Sequence, residues 1–333
     1  MKVLRWAALA ALVVAITGCP KDKEPVGGSN VASSGGSATS KIVIAVLPKG
    51  TAQSFWLTVK AGADDAAKAG NATIDWNGPA AETEVDRQIT ILQGEISKKV
   101  SGIVMAACDA KGLSQYAKAA KDAGIPVVTI DSGVDPDVTD AYLATDNVKG
   151  GAAAADALAT AIGGKGKVGL MPFIKGAQSS DGRENGFRNR LKEKYPNIEL
   201  VESAVLYSES KTDVALDKMK AMLTSNRDLV GAFIANQGGA EGAIQAVKSM
   251  GKTGQVKLVC FDSSKPEVDA LRDGTVSALV VQNPYQMGFK GVETVLRLIK
   301  NPKEKIEPHT IDTGIATVTK DNMDTPEIQK LIK

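Results

Sequence analysis

Six short apolar runs in this chain end in side chains that can hydrogen-bond. Ile42–Leu47 is followed by Pro48-Lys49-Gly50-Thr51-Ala52-Gln53-Ser54-Phe55-Trp56. Pro126–Ile130 runs into Asp131-Ser132, and Lys167–Met171 into a stretch from Pro172 to Arg183. Val230–Ala235 leads to Asn236-Gln237, Val256–Phe261 to Asp262-Ser263-Ser264, and Ser277–Val281 to Gln282-Asn283. Asp131 and Asp262 are acceptors for pairs of hydroxyls, and an ionised acceptor strengthens such bonds. Arg183 offers a planar fork of donors. Ser132, Asn236, Gln237, Gln282 and Gln53 donate and accept. Phe55 and Trp56 are adjacent aromatics in a polar loop, suited to cover C–H faces and exclude water. This set suits a small polyhydroxylated ligand. Each residue also has a plainer reading: capping or turn aspartates, an Arg183 paired with Asp181 or Glu184 on the surface, aromatics packing a helix start.

Other chemistries lack their residues. The one histidine, His309, rules out a multi-histidine metal site, argues against a histidine-based triad, and reads as a surface residue near a strand. Gly163-Gly164-Lys165-Gly166-Lys167 lacks the Walker spacing and precedes a strand, so it is a turn. Asp64 and Asp65 fall mid-helix, and no carboxylate pattern fits a calcium loop. No nucleophile–base pair is visible, so neither an enzyme nor a cofactor is expected. A net charge of +2 without a basic cluster argues against nucleic acid. Apart from Cys19, only Cys108 and Cys260 remain, too few for a disulfide framework.

The elements that must position these residues alternate. Strand-length apolar runs (the six above, with Ile74–Trp76, Gly102–Ala106 and Ile198–Ala204) are separated by helical patterns. These helices cover Ser54–Ala69, the stripe Val85, Ile89, Leu92, Ile96, then Leu113–Ala123, Arg183–Glu193, Val214–Thr224, Ala240–Met250, Pro266–Arg272 and Tyr285–Lys300. Alternating β and α implies doubly wound parallel sheets. One sheet of ten or more strands is improbable, so two Rossmann-like α/β lobes are expected. Ligands of such sheets sit beyond the carboxyl ends of the strands, which puts the polar residues above in a cleft between lobes.

The first 40 residues differ. Lys2 and Arg5 precede an apolar Trp6–Ile16 and then Thr17-Gly18-Cys19, which reads as a signal peptide over residues 1–18. Cys19 after small residues resembles a lipobox, with the cysteine acylated. The Gly/Ser-rich stretch that completes 19–40 cannot bury enough surface to order itself and reads as a tether.

The body from Lys41 onward resembles the ribose/galactose-type periplasmic sugar-binding proteins of ABC importers, the type I periplasmic binding protein family. The resemblance rests on Phe55–Gly70, Gly124–Ser132, Ala144–Leu158, Arg183–Phe187, Val259–Ser264 and Val280–Glu293. It implies two lobes, 41–145 plus 283–312 and 146–282 plus 313–333, joined by a three-stranded hinge near Thr145–Asn147, Gln282–Pro284 and Asp312–Gly314. By motif, Gln53, Phe55, Trp56, Asp131, Arg183, Asn236, Asp262 and Gln282 stand where the family contacts ligand, with one more contact from Tyr207–Lys211. Two residues depart from it: Ser132, where ribose binders often carry arginine, and Gln237, where aspartate is frequent. Together with the lipobox reading of Cys19, the resemblance implies a monomeric lipoprotein of the periplasm or cell envelope, held to the membrane through its lipid anchor only, that hands a small sugar or polyol to an ABC permease. A sensory lipoprotein presenting a sugar or autoinducer to a chemoreceptor or kinase would carry the same cleft.

Overall fold

The computed structural model describes residues 41–332. The leader, Cys19 and the tether expected before Lys41 lie outside them. The first half runs β1 (Ile42–Leu47), α1 (Ser54–Ala69), β2 (Ala72–Trp76), α2 (Val85–Lys98), β3 (Gly102–Met105), α3 (Ala110–Asp122), β4 (Val127–Ile130) and β5 (Ala141–Ala144). The second runs α4 (Asn147–Ile162), β6 (Gly166–Met171), α5 (Gln178–Lys194), β7 (Ile198–Val205), α6 (Thr212–Ser225), β8 (Leu229–Ile234), α7 (Gln237–Ser249), β9 (Lys257–Phe261), α8 (Lys265–Asp273) and β10 (Val276–Val281). The chain closes with α9 (Pro284–Lys300), β11 (Thr310–Asp312), β12 (Ala316–Val318) and α10 (Pro326–Ile332).

The strands form two six-stranded sheets, ordered β2-β1-β3-β4-β5-β11 and β7-β6-β8-β9-β10-β12. Position by position the two orders correspond, so the chain folds as two α/β lobes of one plan. Strands such as β1 and β8 end in four fully buried residues, as expected of parallel strands covered on both faces. Apolar clusters flank both faces of each sheet: Ile44, Val104 and Val292 on one side of the first, Leu47, Ile103 and Leu113 on the other.

One strand departs from the expected parallel pattern. β12 runs antiparallel to β10, whereas β11 is parallel to β5. The cause is topological. The sheets point their carboxyl ends at each other, so a chain leaving the first sheet through β11 enters the second from its carboxyl side. The other two passages between sheets, after β5 and after β10, lead into helices and escape that constraint. At the passages, Thr145 Oγ1 donates to Gly314 O at 3.2 Å, and Asp312 Oδ1 accepts from Gly314 N at 2.8 Å.

Both lobes pack helices backbone against backbone: α1 with α9 in the first, α4 with α5 and α6 with α7 in the second, where a Cβ on Gly242 would overlap Thr212 O. A Cβ on Gly288 of α9 would overlap Val59 O, and one on Gly62 of α1 would overlap Tyr285 O. In the other lobe, Gly151 of α4 faces Arg183 O of α5, and Gly186 faces Val148 O. Such approaches admit only glycine. The buried face of α9 includes Gly288, Gly291, Val292 and Val295, and Tyr285 and Phe289 stack with ring centroids 6.1 Å apart.

Five elements are absent from the sequence reading: β5, α4, β11, β12 and α10. α5 also starts at Gln178, five residues before the expected Arg183. Cys108 and Cys260 are buried free thiols, one at the end of each lobe's sheet.

Candidate functional site

The loops after the strands of both lobes meet at one place. Lys49, Gln53, Phe55, Trp56, Glu82 and Asp131 from the first lobe, with Phe173, Arg183, Asn236, Asp262 and Gln282 from the second and its edge, line one cavity. The space left among them is about 20 Å³, room for about one water. A groove of about 500 Å³ adjoins it and shares Phe55, Asp262 and Gln282.

Eight of the ten sequence-predicted residues therefore converge. Phe55 and Trp56 meet edge to face with centroids 4.9 Å apart. Trp56 is buried in the first lobe's core and also lines the cavity. Arg183 is not a surface residue. It is buried, its Nε donates to Asn147 Oδ1 at 2.8 Å and one terminal nitrogen to Ala235 O at 2.7 Å. Its guanidinium lies 3.6 Å from the Phe261 ring centroid, a cation–π stack that fixes the fork. Glu184, the other suggested partner, binds Arg188 and Tyr207 instead.

Asp262 accepts from Gln237 N at 2.9 Å and Gln282 Nε2 at 2.7 Å. Burial pushes its carboxyl above the usual range, against the pull of Arg183 and those two bonds. Asn236 caps α7 through Gly239 N at 3.0 Å and donates to Ser210 Oγ at 2.6 Å. Gln53 spends its amide on Ser210 O and Oγ, both at 3.0 Å. From the Tyr207–Lys211 loop, Ser210 thus joins Gln53 and Asn236, and it is not among the residues lining the cavity.

Two predicted residues stand apart from the cavity lining. Gln237 Oε1 reaches across the lobes to Ser54 Oγ and Phe55 N, both at 3.1 Å. Ser132 sits behind Lys49, its hydroxyl 2.7 Å from Ser179 Oγ of the other lobe. With Gly133 N to Gln178 Oε1 at 2.8 Å and Gln53 to Ser210, these contacts tie the lobes together.

Sequence reasoning missed Lys49, Glu82 and Phe173 as site members. Lys49 Nζ lies 2.7 Å from Asp131 Oδ2 and 3.1 Å from both Ser132 Oγ and Ser179 Oγ. It also faces the Phe173 and Trp56 rings at 5.1 and 5.8 Å. Burial alone would pull this ammonium down, but Asp131 and Glu82 outweigh it and hold it above its ordinary value. A cation thus stands beside Asp131 although Ser132 is not arginine; it comes from a different loop. Gln88 of α2 anchors that loop by donating to Pro48 O and Ala106 O at 3.0 and 2.7 Å. Glu82 accepts from Trp56 Nε1 at 2.9 Å, and burial pushes its carboxyl up. The signal for Lys49 was its place in the first strand's loop; Glu82 follows a strand edge with no local signal at all.

The model of the periplasmic binding protein domain matches residues 44–304. The D-ribose/D-allose-binding protein of Pseudomonas aeruginosa is 30% identical over 285 residues, 83% of this chain and 88% of that protein. A carbohydrate transporter solute binding protein from Agrobacterium radiobacter, solved with D-arabinose, superposes with a TM-score of 0.85 at 35% identity, covering 89% of this chain and 100% of that one. An ABC transporter solute binding protein from Agrobacterium vitis with bound D-fucose gives 0.83 at 38% identity, covering 87% and 100%. The chain belongs to the periplasmic binding protein domain family, the sugar-binding and non-enzymatic component of transport systems.

Proposed function

We propose that this protein binds a small sugar or polyol between its lobes and delivers it to the permease of an ABC importer. One observation carries the reading: two aspartates, Asp131 and Asp262, come from opposite lobes into one cavity with the stacked fork of Arg183 and the aromatics Phe55 and Trp56. A sugar ring offers hydroxyls to the carboxylates and C–H faces to the aromatics. The relatives' sugars, ribose, allose, arabinose and fucose, are the first candidates.

In this reading the bodies 41–145 plus 283–312 and 146–282 plus 313–333 rotate about the three passages near Thr145–Asn147, Gln282–Pro284 and Asp312–Gly314. The interlobe contacts of Lys49, Gln53, Ser132, Gly133 and Gln237 break on opening and re-form on closing. A ligand touching both lobes favours the closed form because only there does it make both sets of bonds. Cys19 anchors the monomeric protein by its lipid on the envelope side facing the permease.

A thermal-shift screen against pentoses, hexoses and polyols tests the reading. Ligand at 100 times its dissociation constant stabilises the folded state by about 2.7 kcal/mol. No shift with any of them, in protein stripped of co-purified ligand, sinks it.

A further inference from the structure

We infer that Glu82 is a specificity-determining residue of the site, reading a ligand hydroxyl and turning away sugars that carry a carboxylate or phosphate. The inference rests on the sugar-binding reading above. Glu82 belongs to the connection between β2 and α2, which the resemblance did not assign to the site. Its side chain is 6% exposed and lines the cavity. Its Oε1 is held by the indole N–H of Trp56, itself buried, so the carboxylate cannot swing away. Its Oε2 is buried, accepts no hydrogen bond, and has the Lys49 ammonium no nearer than 4.0 Å.

A buried carboxylate oxygen without a donor costs free energy until a donor arrives. The amide oxygen Gln282 Oε1 is a second buried acceptor without a donor on the same lining, whereas Asp131 Oδ2 has the Lys49 ammonium at 2.7 Å. Two buried acceptors without donors thus line the cavity beside the Arg183 fork. A neutral sugar supplies donors through its hydroxyls. A carboxylate or phosphate group supplies none. It would also enter a site where three carboxylates, Glu82, Asp131 and Asp262, outnumber the cations Lys49 and Arg183.

Calorimetric titration of the full chain and of Glu82→Gln and Glu82→Asp tests this. The probes are D-ribose, D-allose, D-arabinose and D-fucose, with D-ribonate, D-arabinonate and D-ribose 5-phosphate. Glu82→Gln keeps an acceptor for Trp56 and replaces the free oxygen by a donor; Glu82→Asp keeps the charge but withdraws it. We expect the wild type to bind at least one neutral sugar and none of the anions. Each variant should lose about tenfold or more for that sugar, with an unfolding midpoint that shows it is folded. Wild-type affinity in a folded Glu82→Gln overturns the inference and leaves the sugar reading standing. Tight binding of an anionic probe by the wild type overturns the discrimination by charge. Binding of no probe at all overturns the sugar reading and the inference with it.

Discussion

Asp131 and Asp262 occupy the same station in the two lobes. Each is the first residue after the strand fourth from the β2 or β7 edge, each has positive φ (+58° and +87°), and each donates its N–H to the neighbouring strand, to Leu143 O at 3.0 Å and Val280 O at 2.9 Å. Left-handed backbone at a non-glycine residue is uncommon and costs of order 1–3 kcal/mol. Here it turns both carboxylates over the strand ends toward the cavity. Glycine at 262 relieves the backbone and alanine does not. Asp262→Gly is therefore expected to be more stable than Asp262→Ala by about 1 kcal/mol in urea unfolding, with ligand binding lost in both. Equal stabilities would show that the backbone there is unstrained.

Lys49 and Asp131 are each at most 4% exposed at the side chain and pair at 2.7 Å. Removing one partner of such a pair leaves a buried charge and costs about 3–5 kcal/mol. Lys49→Met and Asp131→Asn should each destabilise, and the double variant should cost less than the sum. A double-mutant cycle by denaturant unfolding reads the coupling; strict additivity would mean that the pair is not formed.

Gly151 packs against the backbone of Arg183. In Gly151→Ala the methyl pushes α5 from α4, taking Arg183 from its stack on Phe261. Overpacking of this kind costs about 1–3 kcal/mol. The expected signature is weaker ligand binding than in Gly288→Ala, which strains the α1–α9 pair of the other lobe instead. Equal affinities in the two folded variants would uncouple α4–α5 packing from the site.

Glu267 is fully buried where it accepts from Ser264 N at 2.8 Å at the start of α8, and its Oε1 has no partner. Burial, then the nearby Asp262 and Glu241, push its carboxyl well above the usual range. The folded state therefore holds the proton longer than the unfolded chain. Its contribution is full below about pH 4.3, the unfolded value, and is lost as pH rises through the folded value. Glu267→Gln should flatten this loss and be the more stable form at the alkaline end, measured by urea unfolding across pH. Asp273 has the opposite sign. Burial acts to raise its carboxyl, but bonds from Lys248 and Thr275 bring it down to about 2, so its contribution is present at neutral pH and fades as pH falls toward that value.

The sequence exposes what is periodic or punctuated. β1, β4, β8 and β9 are predominantly apolar runs, and the residues after them are the site's aspartates, asparagine and aromatics. α4 escapes because Asn147–Ile162 is built of alanine and glycine, whose burial leaves no stripe of large side chains. The three-residue strands β11 and β12 have half-exposed neighbours and no run to see. The first turn of α5, Gln178-Ser179-Ser180-Asp181-Gly182, has loop composition, yet Ser179 and Ser180 are fully buried because they serve the site. Gln53 and Gln237 carry the right chemistry but turn it on the opposite lobe, a partnership across more than 150 residues that no local pattern encodes.

The central claim is that a sugar is held between the lobes by residues of both. Equilibrium titration of the full chain with D-ribose, D-allose, D-arabinose and D-fucose, set beside Asp131→Asn and Arg183→Met, tests it most directly. The account predicts saturable one-to-one binding of at least one sugar, weakened about tenfold or more by either substitution in protein that still unfolds cooperatively. Unchanged affinity in both variants would place the ligand elsewhere and contradict it.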